Sequence, residues 1–257
     1  MHRLLIPLGL SILMSCGETT SGVSDANSPP DSSAASIDAA LDGPSPASLQ
    51  LEAVILSPVG AVDLTVENVL VTFVKPSDTG DEAGFAVQAE KDGPALYVVA
   101  TAATPAVTPT VGDRISFHVT AKEESFGAAR ATTIDNFSTS ATDIDIEPLR
   151  KDVSVSTVLA SEIQLYESEL IHIEGTIAGS WEAAATGHQR APLTTAGITT
   201  TAVAGAGGLW LRLPVPLFDL AGANEGCTVT LDGILWRFGA DPQPSSYIPS
   251  EVVVSCP

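Results

Sequence analysis

The chain has 257 residues, 44% of them apolar and 16% charged, so it can bury a real core and is not disordered throughout. Its 31 acidic residues outweigh 11 lysines and arginines, for a formal net charge of −20. Nucleic-acid affinity comes largely from cations that displace counterions from phosphates, so this balance argues against DNA or RNA as a partner. An acidic surface suits solubility, divalent cations or basic partners instead.

The first residues are Met1-His2-Arg3, followed by an apolar run from Leu4 to Ser15 and then Cys16. The run is too short to cross a bilayer as a helix, which takes about 20 residues, and suits the apolar region of a signal peptide. Leu13-Met14-Ser15-Cys16 resembles the lipobox of bacterial lipoprotein precursors. The resemblance implies cleavage after residue 15, a diacylglycerol on the Cys16 thiol and a partner in the membrane itself. Several acyl chains on one cysteine hold a protein firmly, at about 0.8 kcal/mol per buried methylene. Gly17 follows, where an Asp would retain such a protein at the inner membrane, so the expected location is the cell envelope, with the outer membrane favoured. Residues 16–49 continue in Ser, Ala, Asp, Gly and Pro, without Lys, Arg or aromatics. Such a tract cannot offset the entropy of ordering and reads as a disordered linker.

From about residue 50 the pattern is that of strands. Short β-branched and aromatic runs alternate with polar residues between Gly, Pro and Asp clusters. The expected strands are Leu51–Leu56, Thr65–Val74, Gly84–Glu90, Ala95–Thr101, Asp113–Lys122, Ala128–Phe137 and Asp143–Glu147, then Glu169–Gly179, Thr194–Thr201, Gly208–Pro214, Gly226–Phe238 and Ser246–Val254. One helix is expected, Ser156–Glu169, with Val158, Ile163, Leu165 and Tyr166 sharing a face. One strand opening occurs twice. Gly112 is followed by apolar Ile115 and Phe117, and Gly226 by Val229 and Leu231, at the same offsets.

Gly84-Phe85-Ala86-Val87-Gln88, then Gly112-Asp113 with Ile115 and Phe117, then Ser125-Phe126-Gly127, resemble the OB-fold-like domains of secreted bacterial proteins, including those that precede some extracellular nucleases. Glu169–Ile177 resembles the opening strand of a second such domain. The resemblance implies an all-β protein of two tandem, small, five-stranded OB-like barrels. An immunoglobulin-like pair of sandwiches fits the same strand pattern. The domain boundaries are 1–15 for the signal peptide, 16–49 for the lipidated cysteine and linker, 50–149 for the first barrel and 150–257 for the second.

Cys227 and Cys256 remain after Cys16, a pair that an oxidising compartment would join. The disulfide would close a loop of about 30 residues, worth roughly 2–4 kcal/mol. Two free thiols are the alternative, and a metal site lacks further ligands at suitable spacing. No catalytic motif is present. His118 and His172 fall within strands and His188 in a loop, none in a ligand motif, and no nucleophile elbow or phosphate loop occurs. The chain is therefore expected to be no enzyme and to need neither metal nor other cofactor. Asp143, Asp145 and Glu147 alternate with isoleucines, either as a calcium-binding face or as a solvated edge strand, and Asp78, Asp81 and Glu82 form a second acidic loop. Trp181, Trp210 and Trp236 are the candidate ligand-binding residues, because aromatic platforms on such barrels stack sugars or bases. Together these features suggest a membrane-anchored, non-catalytic binding or scaffolding protein whose ligand is an envelope protein or a polysaccharide. An accessory nucleic-acid-binding role and an unrecognised hydrolase are the alternatives.

Overall fold

The computed structural model describes residues 43–77, 82–99, 108–185, 187–203 and 207–257. The expected signal peptide, Cys16, most of the expected linker, Asp78 and Asp81 lie outside the described residues. Those described fall in one compact unit.

The first element is a helix, α1 (Pro46–Leu56), where a strand over Leu51–Leu56 and linker through residue 49 were expected. The start signals decide it: the Ser45 hydroxyl accepts the Ser48 N–H at 3.2 Å, and Pro46 occupies the first turn. Leu51 and Val54, three residues apart, are wholly buried in the interior of the neighbouring barrel.

That barrel is closed by β1 (Gly60–Lys75), β2 (Gly84–Gln88), β3 (Ala95–Val99), β4 (Arg114–Ser125) and β5 (Ala128–Ala141), in the order β1-β2-β3-β5-β4. All pairs are antiparallel except β3 with β5, which run parallel at Tyr97↔Arg130 and Val98↔Ala131. Irregularities in β1 near Val71 and near Val66–Val69 bend that strand so that it pairs with both β2 and β4. Inward positions alternate as strands require, with Phe85, Val87, Leu96, Val98, Ile115 and Phe117 in the interior. Asp143–Glu147 is not a strand. Asp143 has a φ of 56° and the Asp145 carboxylate accepts the Glu147 N–H, so the three carboxylates share no face.

The second half contains β6 (Lys151–Asp152), β7 (Leu170–Ile177), β8 (Glu182–Ala183), β9 (His188–Thr194), β10 (Trp210–Pro214), the short helix α2 (Val215–Ala221), β11 (Thr228–Phe238), β12 (Asp241–Ser245) and β13 (Val252–Ser255). Its path is β10-β9-β7-β11-β12, with β6, β8 and β13 added at the sides. The first barrel, read from β3, runs β3-β2-β1-β4-β5, so the two halves share one strand order. In the second half β12 packs beside β10 without a ladder. Two of its five residues, Pro242 and Pro244, have no N–H to give, which suits a strand with one unladdered edge.

The repeated glycines occupy equivalent places. Gly112 (φ +89°) and Gly226 (φ +87°) precede β4 and β11. Gly112 N–H donates to Val71 and Val71 N–H to Asp113. Gly226 N–H donates to Ile177 and Ile177 N–H to Cys227, all at 2.9–3.0 Å. Ile115 and Phe117 enter one core, Val229 and Leu231 the other.

Residues 156–169 form turns with a single 3-10 turn at Ile163–Leu165, not the expected helix. Ser161 Oγ donates to the Val158 carbonyl, Leu159 and Ile163 reach the core, and Leu165 is exposed. The strand expected over Thr194–Thr201 does not form: β9 ends at Thr194, where that strand was to begin, because Thr195 N–H donates to the Ile198 carbonyl and Ile198 N–H to Thr195 Oγ1, closing a turn. Cys227 and Cys256 form a disulfide, 29 residues apart, directly after β13 pairs with the start of β11. Among the described residues no helix is long and apolar enough to cross a membrane, and no group of three or more His, Cys, Asp or Glu is placed to hold a metal ion.

Candidate functional site

All ten residues of β2 and β3 are buried, so this hairpin is covered on both faces. The inward side chains fill the first barrel. The outward ones, Ala86, Tyr97 and Val99, join Phe73, Ile234, Trp236 and, at the edge, Tyr247 in a separate apolar cluster. Trp236 meets Tyr97 edge-on at 4.8 Å between ring centroids and Phe73 at 6.3 Å. OB barrels often grip extended polymers on exposed strands and flanking loops. Here β11 of the second half covers the β2–β3 face. Polar ties fix the seam. Gln88 Oε1 accepts the Leu170 N–H at 2.6 Å, and the Glu167 carboxylate receives the Ala129 N–H at 2.8 Å and Arg237 at 3.3 Å. Burial pushes the Glu167 pKa up, against the pull of those two donors.

At the edge of the seam lies a cavity of about 480 Å³ lined by both halves. Lys75 at the end of β1 and Arg130 on β5 come from one side, Arg190 on β9, Arg212 on β10 and Arg237 on β11 from the other. Five of the chain's 11 cations therefore border one cavity. Three sit on aromatic faces: Lys75 Nζ is 5.3 Å from the centre of Trp236, the Arg130 guanidinium 5.9 Å from Tyr97, and that of Arg190 4.2 Å from Trp210. Glu82 pairs with Arg130 at 3.0 Å and Glu182 with Arg190 at 2.6 Å, and both carboxylates are at least half exposed. Exposed pairs of this kind contribute about 0–1 kcal/mol, so a better anion can displace the carboxylate while the ring beneath keeps the guanidinium in place. The planar fork of arginine matches phosphate and carboxylate in two-point contact.

Of the three candidate tryptophans, only Trp236 lines this cavity. Trp210 is buried behind Arg190, and Trp181 packs on Phe218 at the margin of the second core. The three described histidines each hydrogen-bond to another side chain. His188 opens β9, where a loop was expected, and is buried against the Tyr247 hydroxyl at 3.1 Å. His172 pairs with Asp232 at 2.6 Å. His118 is clasped by Asp135 and Asp63, whose hydrogen bonds raise its pKa. The cavity's arginines escaped the sequence reading. Their signal was present in Trp210-Leu211-Arg212 and Trp236-Arg237, arginines set inside apolar strands of a cation-poor chain.

No known protein family matches the chain, and no curated protein does. Solved structures similar to it include the p204 HINb domain (12% identity, 76% of this chain and 98% of that chain, TM-score 0.34). Two others are the Ifi202 HINa domain in complex with 20bp dsDNA (12%, 77% and 97%, TM-score 0.30) and fission yeast Pot1 with ssDNA (8%, 80% and 87%, TM-score 0.33). Two of these are complexes with DNA. The expectation of an envelope-protein or polysaccharide ligand, with nucleic acid disfavoured, is corrected on the charge argument that carried it. The physical reason is that a net charge averages over the whole chain, whereas the cations here are gathered around one cavity. Scores near 0.3 transfer no binding mode, so the chemistry of the cavity rests on its own geometry.

Proposed function

We propose that this chain is an OB-type nucleic-acid-binding protein that binds without catalysis and is held at a membrane of the bacterial cell envelope by lipid on Cys16. One observation carries the binding reading: Lys75, Arg130, Arg190, Arg212 and Arg237 converge on a single cavity beside Tyr97 and Trp236. Cations supply affinity for phosphates, and the buried rings beneath them hold those cations in place. The remaining negative charge opposes this only weakly. At physiological salt charges more than about 8 Å away are largely screened, whereas a phosphate in contact with a guanidinium is not. The anchor rests on the resemblance of residues 13–16 to a lipobox.

Fluorescence anisotropy with labelled oligonucleotides tests the binding. Arg130→Ala and Arg190→Ala are each expected to weaken it about tenfold, the worth of one charge-assisted hydrogen bond. Each also lowers the slope of log affinity against log salt by about 0.7 for a single strand. Affinity independent of salt, or unchanged in both variants, would overturn the reading. Mass spectrometry of the N-terminal peptide from the native host tests the anchor: an unmodified Cys16 refutes it.

A further inference from the structure

Two phenylalanines at the mouth of the cavity are unaccounted for by either core. Phe126 is 58% exposed and Phe238 48% exposed, and their rings lie 4.4 Å apart at an angle of 33°. They hold matching places, one at the tip of the β4–β5 hairpin and the other at the end of β11 before β12, each followed by a glycine in the left-handed region (Gly127 φ +90°, Gly239 φ +63°). Phe126 itself has a φ of 54°, a costly conformation for a bulky residue and one that burial does not repay. The tips are locked together: Gly239 N–H donates to the Phe126 carbonyl at 2.9 Å, and Arg237 Nε to the Gly239 carbonyl at 3.0 Å. A Cβ on Gly127 would lie 2.9 Å from the Arg237 guanidinium carbon, so that arginine fills the place a side chain would take. The result is a rigid, solvent-facing aromatic pair resting against a cavity cation.

We infer that Phe126 and Phe238 form a platform for an unpaired base, so that the strand bound is single. The inference rests on the nucleic-acid reading above and narrows it. Phosphate recognition alone needs no exposed rings. The rings lie one over the other, and the exposed outer face of the pair beside cations matches a nucleotide, whose charged and stacking groups lie a few ångströms apart. In a duplex the base faces are stacked on their neighbours and closed to such a platform, whereas in a single strand they can be splayed out. The cavity volume lies within the roughly 300–1,000 Å³ that encloses small ligands, and so fits a nucleotide unit but not a double helix.

The test uses the intact chain with three ligands: an oligothymidylate, an abasic oligonucleotide of equal length and a duplex. Phe126→Ala and Phe238→Ala are each expected to weaken the oligothymidylate by roughly 5- to 150-fold, the loss when one base loses its platform, and to leave the abasic strand unchanged. Phe126→Trp should keep the affinity and show fluorescence quenching on binding, which separates stacking from a structural role of the hairpin tip. Equal weakening of both single strands, or a duplex bound as tightly as the oligothymidylate, overturns the platform. If Arg130→Ala weakens both single strands while neither phenylalanine variant weakens either, the platform falls and the nucleic-acid reading stands. If no oligonucleotide binds at all, both fall.

Discussion

Replacing Trp236 with alanine should separate the two halves of the molecule. The ring is buried at the seam, edge-on to Tyr97 and Phe73, with Lys75 Nζ at 5.3 Å. Truncating an interior tryptophan costs about 3–5 kcal/mol. Each edge-on pair adds about 0.5–1.5 kcal/mol beyond area, and a desolvated cation over the ring about 2 kcal/mol, which places the loss in the upper half of that range. The indole N–H has no hydrogen-bond partner, so none of the cost is a lost hydrogen bond. Trp236→Phe, which keeps an aromatic ring in place, should therefore cost less than about 1.5 kcal/mol. Urea unfolding followed by circular dichroism measures both values. Hydrogen exchange then locates the effect. In the alanine variant amides of β2 and β3 should lose protection separately from those of β7, since the cover over the first barrel is loosened. A loss below about 1.5 kcal/mol for Trp236→Ala, or equal losses in the two variants, would refute the argument that ring packing at the seam joins the halves.

Glu169 is 1% exposed, and burial lifts its pKa to about 7 in spite of Lys151 at 2.9 Å. The folded state thus keeps a proton that the unfolded chain releases near 4.5, so the contribution of Glu169 to stability is greatest below that pH and falls as pH rises to about 7, by roughly 3 kcal/mol. His118, with its raised pKa, acts in the same direction at higher pH, and the difference between wild type and Glu169→Gln removes its share: that difference should change across pH 4.5–7.5, and a flat difference contradicts the assignment. The repeated glycines should respond unequally to alanine. Gly226→Ala meets only the backbone penalty of about 1–2 kcal/mol, whereas at Gly112 the new Cβ would also lie 2.7 Å from the Ile144 carbonyl, so thermal unfolding should show Gly112→Ala as the more damaging. Removing the disulfide with Cys227→Ser and Cys256→Ser should cost roughly 3–4 kcal/mol and expose the β13 amides to exchange, while unchanged protection there would mean that β13 holds without it.

Most strands of both halves were legible, because their inward and outward positions alternate and the left-handed glycines at 112 and 226 mark one turn in each. The failures have local causes. Ser45 and Pro46 start a helix whose buried residues, Leu51 and Val54, also read as a strand. Serine side chains between residues 154 and 161 bond to nearby groups, in part main chain, and break up a helical period. Pro242 and Pro244 hide β12, since a strand with two prolines is acceptable only where one edge needs no ladder. The disulfide was legible from the cysteine count and the expected oxidising compartment, whereas the dispersal of the three tryptophans among core, second layer and cavity was not.

The cavity escaped for a deeper reason. Its cations come from β1, β5, β9, β10 and β11, and the two nearest in sequence, Arg190 and Arg212, are 22 residues apart. They become neighbours only when the β2–β3 face of the barrel docks on β11 of the second half. A net charge of −20 describes the field far from the molecule, but a bound phosphate feels the few ångströms around it, where Lys75 and four arginines stand against the four carboxylates paired with them, Glu82, Glu167, Glu182 and Asp241. The site is thus a property of the seam rather than of either half. It follows that loosening the seam and weakening phosphate binding are one event: Trp236→Ala, which removes no charge, should lower oligonucleotide affinity along with stability, while an acidic substitution on a distant exposed loop should do neither.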